Sequence, residues 1–425
     1  MNSDKTGNLM IKWARDIYPF CRSIMGPEFR KSLLYFKKIH KDMNIISFKS
    51  GSKVFDWIIP DEWQIKDAYI EDKNGNRYAE FKKHNLHIVN YSIPINKIMD
   101  RSKLLPHIHS LPKQPNSIPY VTSYYKKDWG FCIEENIRKK LPKGKYKVLI
   151  NSNFKKGELN IGEVYLRGKS KKEIFFSTYL CHPSMVNNEL SGPVLSSALI
   201  KFIKDNFTNK KYSYRFVFLP ETIGSISYLS KKYKKLKANM IAGYVLSCVG
   251  DERAFSHIES RNSDSLADLS LEASFIGRKK TKKYSYIHRG SDERQYCAPG
   301  IDLPVAGFSK SKYGEYPEYH TNKDDFNLVT KKGLIESYEI IKTIIKSFET
   351  SLKPKYTVLC EPQLGKKGLY PNLSSKRSKI PNLRLDLLSY ADGNKNIFEI
   401  AKKINVPLDA VLEEILILKK YKLIK

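Results

Sequence analysis

At 425 residues, 41% hydrophobic and 28% charged, the chain is long enough for two or three packed units and apolar enough to give them cores, which excludes a disordered or low-complexity protein. The formal charge of +31 leaves two readings open: a surface for nucleic acid, anionic lipid or sugar, or the codon usage of an AT-rich genome, since Lys, Ile, Asn and Tyr are all plentiful. No run of about eighteen apolar residues occurs and the first residues lack an apolar h-region, so neither a membrane span nor a secretory signal is expected. Six scattered cysteines without a C-x-x-C pair predict no disulfide scaffold and a reducing, cytoplasmic compartment.

From Asn8 to Met43 apolar residues recur at helical spacing. Gly26-Pro27 interrupts them, so two helices are predicted, with Ile17, Cys21, Ile24 and Met25 as one set in the first. From Gly51 the texture changes to short aromatic and β-branched runs, "KVFDWIIPDEW", "DAYIED", "NRYAEF" and "LHIVNYS". "KNGN" between two of them is a hairpin signal, and residues 51–108 read as an inserted β unit. From Pro119 to Phe348 strands and helices alternate. "YKVLINS", "EVYLRG", "EIFFSTYL", "YRFVFLP" and "MIAGYVLSCVG" read as strands, "GPVLSSALIKFIKDNF" and "GSISYLSKKYKKL" as helices. Residues 1–50 and 109–355 thus predict an α/β sheet covered by helices on both faces. Gly365–Asn382 reads as a basic linker. Within 366–425, Ile397, Ile400, Ala401 and Ile404 mark one helix and Val411, Ile415 and Leu418 a second, a helix-turn-helix whose terminal "LIK" could begin a wing.

Chemistry gathers at the ends of the predicted strands. "EIFFSTYL" runs into His182, "RFVFLPE" ends on Glu221, "LSCVGD" offers Ser247, Cys248 and Asp251, and a later segment holds Asp292, Glu293, Arg294 and His320. In open α/β sheets that edge is where ligands bind. Zinc wants two or three imidazole or carboxylate ligands and an open position for water, and an unligated Glu nearby can take that water's proton. His182, His320, an acid from "NNE" and Glu221 could fill these roles. Two capped core histidines are the plainer alternative.

At these residues a resemblance becomes specific. His182, "NNELSG", "LPETIGS", "SDERQY" and "YHTNKDD" follow in order the landmarks of the co-catalytic zinc aminopeptidase fold. More closely, "RSIMG", "VFDWIIPDEW", "NLHIVNYS", "IPYVTSYYKKDWGFC", "TYLCHPSMVNNELSGP" and "GSDERQY" resemble a bacterial aminopeptidase-like family with an inserted β domain and a C-terminal winged helix, often encoded in surface-polysaccharide clusters. The resemblance implies Glu221 as general base and His182 and His320 as metal ligands. It also exposes departures: Asn188 stands for the bridging aspartate, Ser184 for the aspartate that orients the first histidine, Thr222 for a ligand glutamate and Ser247 for a ligand aspartate. With those charges gone, one zinc at most is expected, with Asn188 or Glu189 completing its ligands. Glu189 reads equally as a helix-start residue complementing the macrodipole.

Asp292, Arg294, Tyr296 and Tyr319 are candidates for binding a peptide or aminoacyl substrate. Asp292 could equally ligate metal or pair with Arg294 or Arg289. Arg22, Tyr124, Tyr125 and Trp129 are weaker pocket candidates, core packing being preferred for Trp129 and Tyr124. Ser191 is not in a G-x-S-x-G elbow, and Cys181 next to His182 should point away from it along a strand. The C-terminal unit could bind DNA or a protein, although its second helix carries Glu413 and Glu414, and a homo-oligomer is left open. Beside the hydrolase stand two other readings: a binding or scaffold protein on a degenerate peptidase fold, and a winged-helix DNA-binding regulator.

Overall fold

The computed structural model describes residues 3–370 and 379–425. Helices α1 (Ser3–Ile17) and α2 (Pro27–Ile39) precede strand β1 (Asn44–Lys49). Pro27 opens α2, where its missing N–H would have had no helical partner. The first helix is shorter than its apolar spacing suggests. It stops at Ile17, ahead of Pro19, and Ile24 and Met25 are buried from a loop instead.

Strands β2 (Glu62–Asp72), β3 (Arg77–Tyr78), β4 (Ile95–Asp100) and β5 (Lys145–Lys155) form a four-stranded sheet in the order β3-β2-β5-β4. The "KNGN" turn joins β2 to β3, pairing Ile70 with Tyr78, and Asp72 accepts the N–H groups of Asn74 and Asn76. The small sheet reaches beyond 51–108. "YKVLINS", expected in the main sheet, lies in β5 and pairs with β2 and β4. The reason was in its alternation: Tyr146, Val148 and Ile150 are buried while Lys145 and Lys147 are exposed, the pattern of a strand covered on one face only.

The main sheet combines β1 with β6 (Glu158–Leu166), β7 (Glu173–Tyr179), β8 (Ser213–Leu219), β9 (Met240–Leu246), β10 (Phe255–Ile258), β11 (Thr281–Tyr284) and β12 (Val305–Ser309), ordered β1-β6-β8-β7-β9-β12-β10-β11. The central strands β8, β7, β9 and β12 are parallel, and β6 and β1 extend the sheet antiparallel. Every residue of β7 and β8 is buried, so both faces are covered.

Four longer helices follow: α3 (Ser191–Asn206), α4 (Ile223–Asn239), α5 (Leu266–Phe275) and α6 (Lys331–Ser351). On one face the stacked rings of Phe176, Phe216 and Tyr244 continue to Phe218, which packs on Phe36 of α2, while the Tyr244 hydroxyl meets Ser270 of α5. On the other, Phe175 packs on Tyr228 of α4 and on Tyr296. α6 lies against α1 and α3.

The C-terminal unit holds α7 (Lys379–Tyr390), α8 (Ile397–Ile404) and α9 (Leu408–Lys420). α7 begins inside the stretch read as a linker, of which 371–378 lie outside the described residues. Asn396 accepts the N–H groups of Phe398 and Glu399, and the Glu399 carboxylate returns to the Asn396 N–H, a reciprocal cap that fixes the start of α8. Arg384 of α7 and Glu414 of α9 form a buried ion pair. Ile424 pairs with Tyr356, so the terminal residues are bonded to the segment that leads into α7. The unit docks on the core through Phe398 against Phe348 and Lys402 on Glu272. No helix among the described residues is long and apolar enough to cross a membrane, and all six cysteines are unpaired.

Candidate active site

After β7 the chain leaves the sheet through Leu180, Cys181 and His182, then forms a single π turn, Val186–Leu190, leading into α3. Asp324 holds that turn. Its carboxylate accepts the N–H groups of Val186, Asn187 and Asn188 at 3.0, 2.5 and 3.0 Å and the Tyr316 hydroxyl at 2.8 Å. The segment after His320 is thereby tied to the segment after His182. The following Ser-Gly is required by space: Val249 N–H donates to Ser191 Oγ, and a Cβ on Gly192 would stand 2.2 Å from the carbonyl oxygen of Leu246 and 2.2 Å from Thr178 Oγ1.

The two imidazoles come together. The rings of His182 and His320 lie 5.4 Å apart, with Tyr120 edge-on to both and Tyr319 stacked on His320 at 3.9 Å. Nδ1 of His182 meets Glu189 Oε2 at 2.5 Å, and Nε2 faces Glu221 Oε2 at 3.6 Å. Burial alone would depress the His182 pKa, but the Glu189 carboxylate raises it well above the ordinary value. His320 lacks such a partner. Burial, reinforced by the His182 charge, pushes it down to about 3, so it stays neutral with a lone pair available. Glu221 sits at the end of β8, receives the Ser291 hydroxyl on Oε1 at 2.9 Å, and has its pKa raised by burial.

The remaining candidates divide. Arg294 lines the cavity before Glu221, of about 240 Å³, with Ile24, Tyr120, Tyr124, Tyr125 and Cys181. Asp292 lies behind Glu221 and forms no ion pair with Arg294 or Arg289. It accepts the Thr222 N–H and the Ser225 hydroxyl instead, and burial together with the Glu221 charge lifts it to about 8. Tyr296 is no substrate contact: it is fully buried against Phe175 of β7, bonded to Ser177. Tyr319 supports His320 from behind. Arg22 is also outside the cavity, fully buried, with its guanidinium spent on the carbonyls of His182 and Ile17. Asn188 gives its amide nitrogen to Tyr179.

Cys181 overturns an expectation. β7 ends at Tyr179, so strand alternation no longer applies, and Sγ lies 3.5 Å from His182 Nδ1. Burial pushes its thiol up to about 12, which keeps it a poor nucleophile. The sequence reading also missed Tyr120, Ser291 and Asp324. The aromatic run around Tyr120 and the acidic pair closing "TNKDD" were the available signals.

The donor set fits one metal ion. Among the candidate ligands, Asn188 Oδ1, Glu189 Oε1 and His320 Nε2 are buried without a hydrogen-bond partner. Two imidazoles sharing an ion through one nitrogen each would have ring centres roughly 5 Å apart, close to the spacing seen. Among the described residues the mutually close trio of His, Cys and acidic ligand atoms is Cys181, His182 and Glu189, and His320 stands outside it. Glu189 thus occupies the Nδ1 side of His182, the place of an orienting carboxylate, while Nε2 is turned to Glu221. Asn188, Thr222 and Ser247, which stand where the resemblance places charged ligands, are neutral.

A model of a domain of unknown function (DUF4910) matches residues 11–351, and a winged helix-turn-helix model matches 353–425. A Clostridium acetobutylicum protein, provisionally named for polysaccharide biosynthesis with an aminopeptidase-like domain, is 39% identical over 412 residues, 95% of this chain and 92% of that one. A crystal structure from Clostridium acetobutylicum, provisionally named a peptidase, is 37% identical with a TM-score of 0.90, covering 100% of this chain and 97% of that one. A zinc aminopeptidase from Bacillus subtilis, at 14% identity, shares the fold with a TM-score of 0.57 over 80% of this chain and 93% of that one.

Proposed function

Because the chain belongs to the DUF4910 family, an aminopeptidase-like α/β fold followed by a winged helix-turn-helix, we propose that it is a single-metal hydrolase of an amide bond in a peptide or aminoacyl conjugate. The observation that carries this reading is the meeting of His182 and His320 with Glu221 3.6 Å from His182 Nε2. His182, giving up its Nε2 proton to the ion, and His320 would hold it, zinc being the one this nitrogen-rich set suits, and Glu189 would fix the His182 tautomer from Nδ1. Bound there, the ion supplies Lewis acidity toward the scissile carbonyl and acidifies water.

Glu221 is the proton carrier. As a carboxylate it takes one proton from the attacking water as the C–O bond forms, then delivers it to the nitrogen as the C–N bond breaks. Its raised pKa suits both halves of that transfer. Ser291 pins Oε1 and leaves Oε2 for the water. The name of the Clostridium relative supports a substrate in polysaccharide biosynthesis, and six unpaired cysteines suit a cytoplasmic enzyme. The exposed face of α9, with Asp409, Glu413, Leu416 and Ile417, favours a protein partner over DNA for the C-terminal unit.

A second reading, a non-catalytic binding or scaffold protein, is favoured by the neutral residues at 188, 222 and 247. Metal content after purification, followed by a screen of aminoacyl-arylamides, separates the two. The hydrolase requires bound zinc and turnover, and Glu221→Gln should abolish turnover while metal stays bound. Undiminished activity in that variant removes Glu221 from its role, and a metal-free, inactive protein favours the scaffold.

A further inference from the structure

The cavity in front of Glu221 has a cationic wall that makes no contact ion pair among the described residues, Glu221 on the same cavity feeling its charge only through space. Arg294 lines it and donates from Nη2 to a neutral acceptor, the Thr222 hydroxyl, at 2.6 Å. Its Nε is buried without a partner, Nη1 has no acceptor, and among the described residues no carboxylate lies within ion-pair distance. The acids nearby make their hydrogen bonds elsewhere, with Asp292 Oδ2 and Glu293 Oε2 making none. Asp292 accepts from Thr222 and Ser225, Glu293 from the N–H groups of Gly290 and Ser291 and from the Tyr313 hydroxyl, and Glu221 from Ser291.

Guanidinium does not deprotonate in proteins, so this charge is permanent, and its planar fork matches a carboxylate. The fork is held ready. Thr222 has a left-handed backbone, φ 64°, fixed by its N–H on Asp292, and in that conformation its hydroxyl meets Arg294. Threonine at 222 positions the arginine without neutralising it and leaves the charge over for a ligand. Tyr125, 66% exposed, gives an aromatic flank for the rest of that ligand.

We propose that this cavity binds substrates through a carboxylate, with Arg294 as the anion anchor, so that recognition rests on an acid group of the substrate rather than on a free amine. The inference builds on the cavity being the substrate site of the hydrolase proposed above. A peptide C-terminus and a sugar acid both offer this chemistry.

The test is calorimetric titration of the full-length protein, as purified, with matched probes: hippurate against hippuramide, and glucuronate against glucose. Each carboxylate should bind about ten- to a hundredfold more tightly than its neutral twin. Arg294→Gln should erase that preference without changing the neutral twin, and Arg294→Lys should keep part of it. A stronger hippurate preference identifies a peptide end, a stronger glucuronate preference a sugar acid, and both support the anchor. Equal binding of the twins, no carboxylate binding at millimolar concentration, or a preference unchanged in Arg294→Gln overturns it. If Arg294→Gln does not fold, the comparison of twins in wild type and Arg294→Lys decides. The readout needs no turnover, so a carboxylate preference in an inactive protein refutes the hydrolase alone, and turnover of amide-capped substrates without preference refutes the anchor alone.

Discussion

Gly192→Ala isolates the contact that sets the metal-side helix on the sheet. The added Cβ would stand 2.2 Å from the Leu246 carbonyl oxygen and 2.2 Å from Thr178 Oγ1, and Thr178 itself donates to that carbonyl at 3.0 Å. One obstruction is backbone of a central strand and the other a β-branched side chain bonded to it, so neither yields freely. Retreat of about 1 Å is needed to reach ordinary contact. Overpacking of this kind costs about 3 kcal/mol at its upper range. Alanine's better helix propensity returns about 1 kcal/mol, leaving a net loss of about 2 kcal/mol. Urea unfolding followed by circular dichroism measures it. Adding Thr178→Ala should recover about 1 kcal/mol of coupling in a double-mutant cycle, since the Leu246 oxygen still obstructs. A variant within about 0.5 kcal/mol of wild type would refute the account of why Gly follows Ser191.

Glu189→Gln should weaken zinc affinity about ten- to a hundredfold, read by competition with a chelator, with little change in melting temperature; unaltered affinity denies it the orienting role. His40 is buried beside Ser197, and burial, reinforced by Lys204, lowers its pKa from 6.5 to about 4. The unfolded chain therefore binds the extra proton first, and stability present above pH 6.5 is lost as pH falls toward 4, by roughly 3 kcal/mol. His40→Gln should flatten that slope in urea titrations across the window, and an unchanged slope contradicts the assignment. Glu414→Ala leaves the buried Arg384 unpaired and should cost the C-terminal unit about 3–5 kcal/mol, seen as earlier proteolysis of 353–425; equal resistance would count against it.

Much of the frame was legible in the chain. Apolar-rich runs without alternation marked β7 and β8, because strands covered on both faces have no solvent side to show. Helical spacing around Ile400 and Ile415 placed α8 and α9 because each buries one stripe. His182 and Glu221 were found because both follow such runs, and the sheet places those ends side by side. Partnership was not legible. Whether "YKVLINS" joined the main sheet or the small one depended on which surface its alternation met. Periodicity is silent about loops, so Cys181 turned toward His182 once the strand had ended at Tyr179. Tyr296 had the composition of a pocket residue, yet is fully buried against Phe175 and Ser177 in the core. What the residues alone decided was the elements and the chemistry at their ends, because burial pattern is local. What only the tertiary structure decided was that Glu189 sits behind His182, that Asp324 clasps the turn after it, and that Arg294 keeps an unpaired charge. The first depends on how the turn after His182 folds back, and the other two are encounters between segments far apart in the chain, so no local pattern encodes them.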